Sequence, residues 1–291
     1  MLRHRSPLTA ALAAAGLLLA AGALHAAEIP ALELAEKEAQ AAAEHADAKF
    51  PGREIYFYVD TLELDELAEM HAADEVHIVD VRTRFEFDTL RIDGAHHVSI
   101  DDPDFVEKVV AIQEQDPELP VAFYCRGHTC FMGYQAVERM MAAGHDNAYN
   151  MDAGIFDWAE NHPQVTAMFG EAPIRTAELI DFNQFRDHLL PPAEFAERAH
   201  SGEFHVLDIR RPFERDQIGL FMQHETNITA SDAEQLEPFL EEVRASGKPL
   251  LVYDITGHEI KVFQYTLEQH GIEDYYFMEG GFKGFQDTVL R

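Results

Sequence analysis

Three short patterns occur twice in this chain, in the same order and at nearly the same spacing. Val76-His77-Ile78-Val79 runs into Asp80-Val81-Arg82, and Phe204-His205-Val206-Leu207 runs into Asp208-Ile209-Arg210. Val121 to Cys125 is answered by Leu250 to Asp254. Met151-Asp152-Ala153-Gly154-Ile155 with Trp158 is answered by Met278-Glu279-Gly280-Gly281-Phe282 with Phe285. The offset stays between 127 and 129 residues, the length of a whole domain rather than of a solenoid unit. The chain therefore reads as a duplication, two copies of one structural plan.

Within each copy, short apolar runs alternate with helical stretches. Val76 to Val79, Val121 to Tyr124 and Ala148 to Met151 read as strands, and Met132 to Met141 reads as a helix. Strands interleaved with helices predict an α/β fold, each copy a mostly parallel sheet flanked by helices. The expected organisation is a signal peptide over 1–26, an N-terminal helical segment over 27–52, one domain over 53–163, a linker over 164–184 and a second domain over 185–291. The Ala- and Glu-rich stretch from Leu32 to Phe50 reads as a mostly solvated helix closed off by Pro51-Gly52.

The segment from Val121 to Cys130 carries the chemistry. Its apolar run ends abruptly in Cys125, and Arg126, Gly127, His128, Thr129 and Cys130 follow before the helix. A strand-to-helix turn points successive backbone N–H groups and the positive end of the helix dipole into one concavity. Such a concavity stabilises an anion and lowers a thiol's pKa. This is the setting for a nucleophilic thiolate acting on an anionic sulfur or phosphorus substrate.

Arg3, His4 and Arg5 precede an apolar run from Leu8 to Leu24, with Ala26 and Ala27 after it. That is the pattern of a secretory signal peptide, and periplasmic export is the expectation; a retained N-terminal membrane anchor is the alternative. After cleavage no stable membrane insertion is expected. The formal net charge of −31 argues against nucleic acid or anionic lipid as a partner. Solubility explains the charge more directly than a cationic protein partner does. Only two cysteines occur, both in the one loop; a disulfide framework is excluded, and any disulfide within the chain is local to the site.

Asp80-Val81-Arg82, then Phe85-Glu86-Phe87, then Ile92-Asp93-Gly94-Ala95 resembles the Asp-x-Arg, Glu-Phe and Ile-Pro-Gly-Ala stretch of the rhodanese, or sulfurtransferase, superfamily. Tyr124-Cys125-Arg126-Gly127 resembles the active-site loop of that family. Gly144 and Ala153-Gly154-Ile155 with Trp158 resemble its downstream pattern. The resemblance is strong over 53–163 and weaker over 185–291, and it implies a tandem rhodanese-domain protein. It further implies that Cys125 is the nucleophile, taking a sulfane sulfur from a small anionic donor such as thiosulfate. Cys125 would hold that sulfur as a persulfide and pass it to a thiol or a cyanide-like acceptor, without a cofactor. The loop from Arg126 to Cys130 would bind the substrate through its amides, with Arg126 adding charge or pointing away into solvent.

Two positions depart from that family. Cys130 stands where arginine, threonine or another polar residue is common. It is either a resolving thiol that attacks the persulfide and releases sulfide, or an unreactive residue at the helix start. In the second copy Asp254 takes the place of Cys125, and a carboxylate carries no transferable sulfur; Glu259 in that loop would also oppose a thiolate. The second domain is thus expected to be non-catalytic, serving as a cover, a binding surface or support. A Cys-dependent phosphatase needs an arginine where Phe131 stands. Cys125, His128 and Cys130 supply only three candidate ligands on a short loop, so no metal is expected. The reading that remains is an exported sulfurtransferase; its alternative is a thiol-redox or non-catalytic binding protein with Cys125 and Cys130 paired.

Overall fold

A computed structural model of the protein describes residues 49–215, 219–221 and 224–290. The signal-peptide stretch and nearly all of the Leu32–Phe50 helix lie outside the described residues. Residues up to Val59 belong to one compact unit and those from Asp60 onward to another. Of the first, the described part is a helical turn, Gly52–Ile55, closed by the Tyr56 N–H donating to the Gly52 carbonyl at 2.9 Å. Pro51 stands just ahead of that turn, so Pro51-Gly52 opens a helical turn, as suits a proline with fixed φ and no N–H.

The unit from Asp60 holds both copies of the repeat. Its strands are β1 His77–Asp80, β2 Leu90–Ile92, β3 His96–His97, β4 Val121–Tyr124, β5 Ala148–Met151, β6 Thr166–Met168, β7 Leu189–Leu190, β8 His205–Asp208, β9 Thr226–Asn227, β10 Leu250–Tyr253 and β11 Tyr275–Met278. Its longer helices are α1 Leu64–Ala72, α2 Arg84–Thr89, α3 Phe105–Gln113, α4 Met132–Ala142, α5 Gly154–Asn161, α6 Phe182–Asp187, α7 Pro192–His200, α8 Ala233–Ser246, α9 Glu259–Gln269 and α10 Gly281–Val289. The two larger sheets run β3-β1-β4-β5 and β9-β8-β10-β11-β7, and every strand pair in them is parallel. Thr61 bridges Asn150 in parallel beyond β5, the place that β7 takes in the second sheet. The two copies therefore share one strand order, and an antiparallel pair of β2 with β6 is added to the first.

Parallel strands need crossovers, and the helices that supply them cover the sheet faces. The central strands are accordingly buried along their whole length: Val121, Ala122, Phe123 and Tyr124 in β4, and Leu250, Leu251, Val252 and Tyr253 in β10. This is why both read as continuous apolar runs rather than alternating ones. Register then decides where the chemistry lies. Asp80 pairs with Tyr124 and Asp208 with Tyr253, so Asp80-Val81-Arg82 and Cys125 leave the first sheet at the same edge. In open α/β sheets that carboxyl edge is where ligand sites form.

That edge is tied by a buried ion pair. The Arg82 side chain donates from Nε and Nη2 to the Asp80 carboxylate at 3.0 and 2.6 Å, and the Arg82 N–H donates to Asp80 Oδ1 at 3.0 Å. Arg82 also donates to the Leu90 carbonyl at 2.5 Å, linking β1 to β2. In the second copy Arg210 donates from N, Nε and Nη2 to Asp208 at 3.0, 2.9 and 2.7 Å. Both ion pairs are fully shielded from solvent. Replacing one partner leaves an uncompensated buried charge, so Asp80→Ala should cost about 3–5 kcal/mol of stability. Urea unfolding against the wild-type protein measures this, and a loss under about 1 kcal/mol would show that the pair behaves as a solvated one.

Candidate active site

Cys125 is the first residue past β4 and is 2% exposed. Its carbonyl accepts the N–H of Ile155 at 3.0 Å, which holds the start of α5 under the loop. Gly154 makes that approach feasible. Its φ is +73°, and a Cβ there would lie 2.3 Å from the Gly127 nitrogen. The Cys130 N–H donates to the Gly127 carbonyl at 2.9 Å and closes the loop before α4 begins. The N–H groups of Arg126, Gly127 and Thr129 have no acceptor among the described residues. Together with the positive end of α4 they form a concavity suited to an anion.

Two of the remaining loop side chains, Arg126 and His128, are spoken for. Arg126 forms a bidentate pair with Glu86, Nε to Oε1 at 2.6 Å and Nη2 to Oε2 at 2.7 Å. Its guanidinium therefore braces the loop against α2. His128 Nε2 lies 2.8 Å from Asp157 Oδ2 on α5, which makes it a loop hydrogen-bonder. Thr129 is exposed. Neither Glu86 nor Asp157 stood out in the sequence as a site residue, although Thr83 and Glu86 have the spacing of a helix-capping box, which they form here.

Cys125 and Cys130 are joined in a disulfide, with their Cα atoms 6.3 Å apart. The loop is thus in its oxidised form, in which Cys125 is not a nucleophile. Cys130 is the more exposed of the two cysteines.

The second copy keeps the loop and fills it from within. Asp254, buried at the end of β10, accepts N–H groups from Gly257, from Glu259 at 2.7 Å and from Ile260 at 3.4 Å. The Phe282 N–H donates to the Asp254 carbonyl at 2.9 Å, as Ile155 does to Cys125. Three backbone donors of this loop are thus spent on its own carboxylate, while the N–H groups of Ile255, Thr256 and His258, the counterparts of Arg126, Gly127 and Thr129, have no acceptor among the described residues. Burial lifts the Asp254 pKa above the usual carboxylate range, and the N–H donors oppose that rise.

The two loops are connected across the packing of α9 on α2, where the Phe85 and Phe263 rings lie 5.9 Å apart. The Thr83 hydroxyl lies 3.0 Å from Glu86 Oε2 and 3.0 Å from Glu259 Oε1. One hydroxyl carries one proton, so one of the two carboxyls supplies the other. Burial opposes ionisation of Glu86, but the charges of Arg126 and Arg82 and the bonds from Arg126 and Thr83 outweigh it and hold Glu86 below the usual range. Of the two carboxyls beside the Thr83 hydroxyl, Glu259 is the one whose surroundings favour the protonated form. Burial, with the nearby charges of Glu86 and Asp254, pushes Glu259 up to about 8.

From about pH 4.5 to about pH 8 the folded protein holds a proton on Glu259 that the unfolded chain has released. This contribution to stability accordingly falls as pH rises through that window. Glu259→Gln, whose amide can donate to Thr83 in place of the carboxyl, should flatten the fall and be the more stable protein at the alkaline end. Urea midpoints across the window test this; parallel curves for the two proteins would place the proton elsewhere.

The family model of the rhodanese-like domain matches residues 63–161 and again 191–288. No curated protein matches the chain. Among solved structures, the thiosulfate sulfurtransferase from Pseudomonas aeruginosa is 17% identical over 78% of this chain and 42% of that one, with a TM-score of 0.35. The BH2092 protein from Bacillus halodurans is 13% identical over 45% of this chain and 92% of that one, with a TM-score of 0.35. A human single-domain sulfurtransferase is 24% identical over 36% of this chain and 98% of that one, with a TM-score of 0.30. With two domain matches that together take in more than half of its length, this chain belongs to the rhodanese-like domain family and carries the domain in tandem.

Proposed function

We propose that this protein is an exported sulfurtransferase in which Cys125, once reduced, takes a sulfane sulfur from a small anionic donor of the thiosulfate type. The observation that carries the reading is the position of Cys125: buried at the end of β4, in a loop whose Arg126, Gly127 and Thr129 N–H groups have no acceptor among the described residues. The Cys125 thiolate attacks the outer sulfur of thiosulfate, a new S–S bond forms, and sulfite leaves with the electron pair of the old one. The N–H donors stabilise the persulfide anion that results. A thiophilic acceptor, a thiol or cyanide, then removes the outer sulfur and returns Cys125 to the thiolate.

In this reading the second domain is not a sulfur carrier, because Asp254 replaces the sulfur and takes up the N–H groups of Gly257, Glu259 and Ile260. The loop disulfide favours a second reading, a thiol-redox protein acting through the Cys125 and Cys130 pair. The same disulfide suits an oxidising compartment. Export rests on this and on Arg3, Arg5 and the apolar run after them.

After reduction, wild-type protein should form thiocyanate from thiosulfate and cyanide, and Cys125→Ser should lose the reaction while remaining folded. Initial rates provide the measure. Retention of roughly a tenth or more of wild-type activity, a barrier difference of about 1.4 kcal/mol or less, would remove Cys125 from the role. Periplasmic fractionation with N-terminal sequencing of the mature chain tests export, and an intact Met1 on a membrane-bound protein would replace the signal peptide with an anchor.

A further inference from the structure

The disulfide joins the proposed sulfur carrier to a second thiol on its own loop, and this bears on the fate of the transferred sulfur. In the oxidised loop the two sulfurs are directly bonded. Residues 125–130 lie between a buried strand and a helix, and the loop is closed by the Cys130 N–H on the Gly127 carbonyl and braced by Arg126 on Glu86 and His128 at Asp157. With these anchors in place after reduction, the Cys130 thiol stays within reach of Cys125 Sγ. A sulfur placed on Cys125 would therefore have a resolving thiolate beside it, at the inner sulfur rather than the outer one.

The second copy supports treating the two cysteines as a functional pair. Counted from the end of the strand, its equivalents of Cys125 and Cys130 are Asp254 and Glu259. There the backbone N–H of the second residue donates to the carboxylate of the first at 2.7 Å. The fold thus brings these two loop positions into direct contact in both copies, once as sulfur to sulfur and once as N–H to carboxylate.

We propose that the protein is a dithiol-dependent, sulfide-releasing reductase of sulfane sulfur, an activity that rests on the persulfide reading above and goes beyond transfer. The Cys130 thiolate attacks Cys125 Sγ of the persulfide; the Cys125–Cys130 bond forms, the bond to the outer sulfur breaks, and hydrosulfide leaves with that electron pair. The two cysteine sulfurs are oxidised and the sulfane sulfur is reduced by two electrons. A dithiol then reduces the loop, entering at the more exposed Cys130 and ending as its own disulfide. Over one cycle thiosulfate and a dithiol become sulfite, hydrogen sulfide and the oxidised dithiol, and the structure shows the enzyme in the state that awaits reduction.

The test is one turnover without air. Full-length protein is reduced, freed of reductant and mixed with thiosulfate, and sulfide, sulfite and intact protein mass are followed. Wild type should release about one sulfide for each protein molecule and end two hydrogens lighter than it began, without persulfide, as the bond balance above requires. Cys130→Ser and Cys130→Ala should each end one sulfur heavier and release at least about tenfold less sulfide, about 1.4 kcal/mol in barrier. Wild type that keeps the added sulfur as the variants do would overturn the reductase while leaving sulfurtransfer in place. If neither wild type nor variants take up sulfur, both the persulfide reading and this one fall. Sulfide release by Cys125→Ser would equally overturn the proposal.

Discussion

The buried Asp–Arg pairs at the strand ends are the interaction on which the rest of the site depends. Asp80 and Arg82 sit two residues apart on the segment leaving β1, directly beside the strand that ends in Cys125. An ion pair without access to water is costly unless its hydrogen bonds are satisfied, and here the carboxylate receives the Arg82 N–H as well as the guanidinium. That geometry pins the departure of the chain from β1 and, through the Arg82 bond to the Leu90 carbonyl, the end of α2. Glu86, which holds Arg126 of the Cys125 loop, stands on that same helix. Asp208 and Arg210 repeat the arrangement in the second copy.

On these matching foundations the two loops solve one electrostatic problem in two ways. Converging backbone donors need an anion, because an N–H left without a partner in a partly buried place is unfavourable. In the second loop Asp254 accepts three of them, from Gly257, Glu259 and Ile260. In both loops the N–H groups of three further residues, Arg126, Gly127 and Thr129 in one and Ile255, Thr256 and His258 in the other, have no acceptor among the described residues. The two loops thus differ chiefly in the group at the strand end, a cysteine sulfur in one and a carboxylate in the other.

The connection between the loops runs from Glu259 through the Thr83 hydroxyl to Glu86 and Arg126. Its first member follows the Asp254 loop and its last belongs to the Cys125 loop, so the second domain braces the Cys125 loop through the Thr83 hydroxyl. The Lys261 ammonium over the Phe156 ring, 3.6 Å from its centroid, adds a contact between α9 and α5. The second domain is in this sense a support for the Cys125 loop, joined to it by groups whose protonation matters.

Much of this was legible in the sequence. The repeat gave two domains, and the apolar runs gave β4 and β10 residue for residue, because strands buried on both faces carry no polar interruption. Cys125 at a strand end and Asp254 at its counterpart are local facts of the chain and needed no coordinates. Short edge strands such as β3, β7 and β9 were not legible, since two residues carry no periodicity. Nor were the partners of the loop: Glu86 is 40 residues from Arg126, Asp157 is 29 from His128, and Glu259 is 176 from Thr83. Sequence spacing determined which residue types occupy the loop. Whether its two sulfurs bond, which amides remain unspent and where a proton is held were decided only by tertiary packing, because each depends on distances between groups that the chain order does not set.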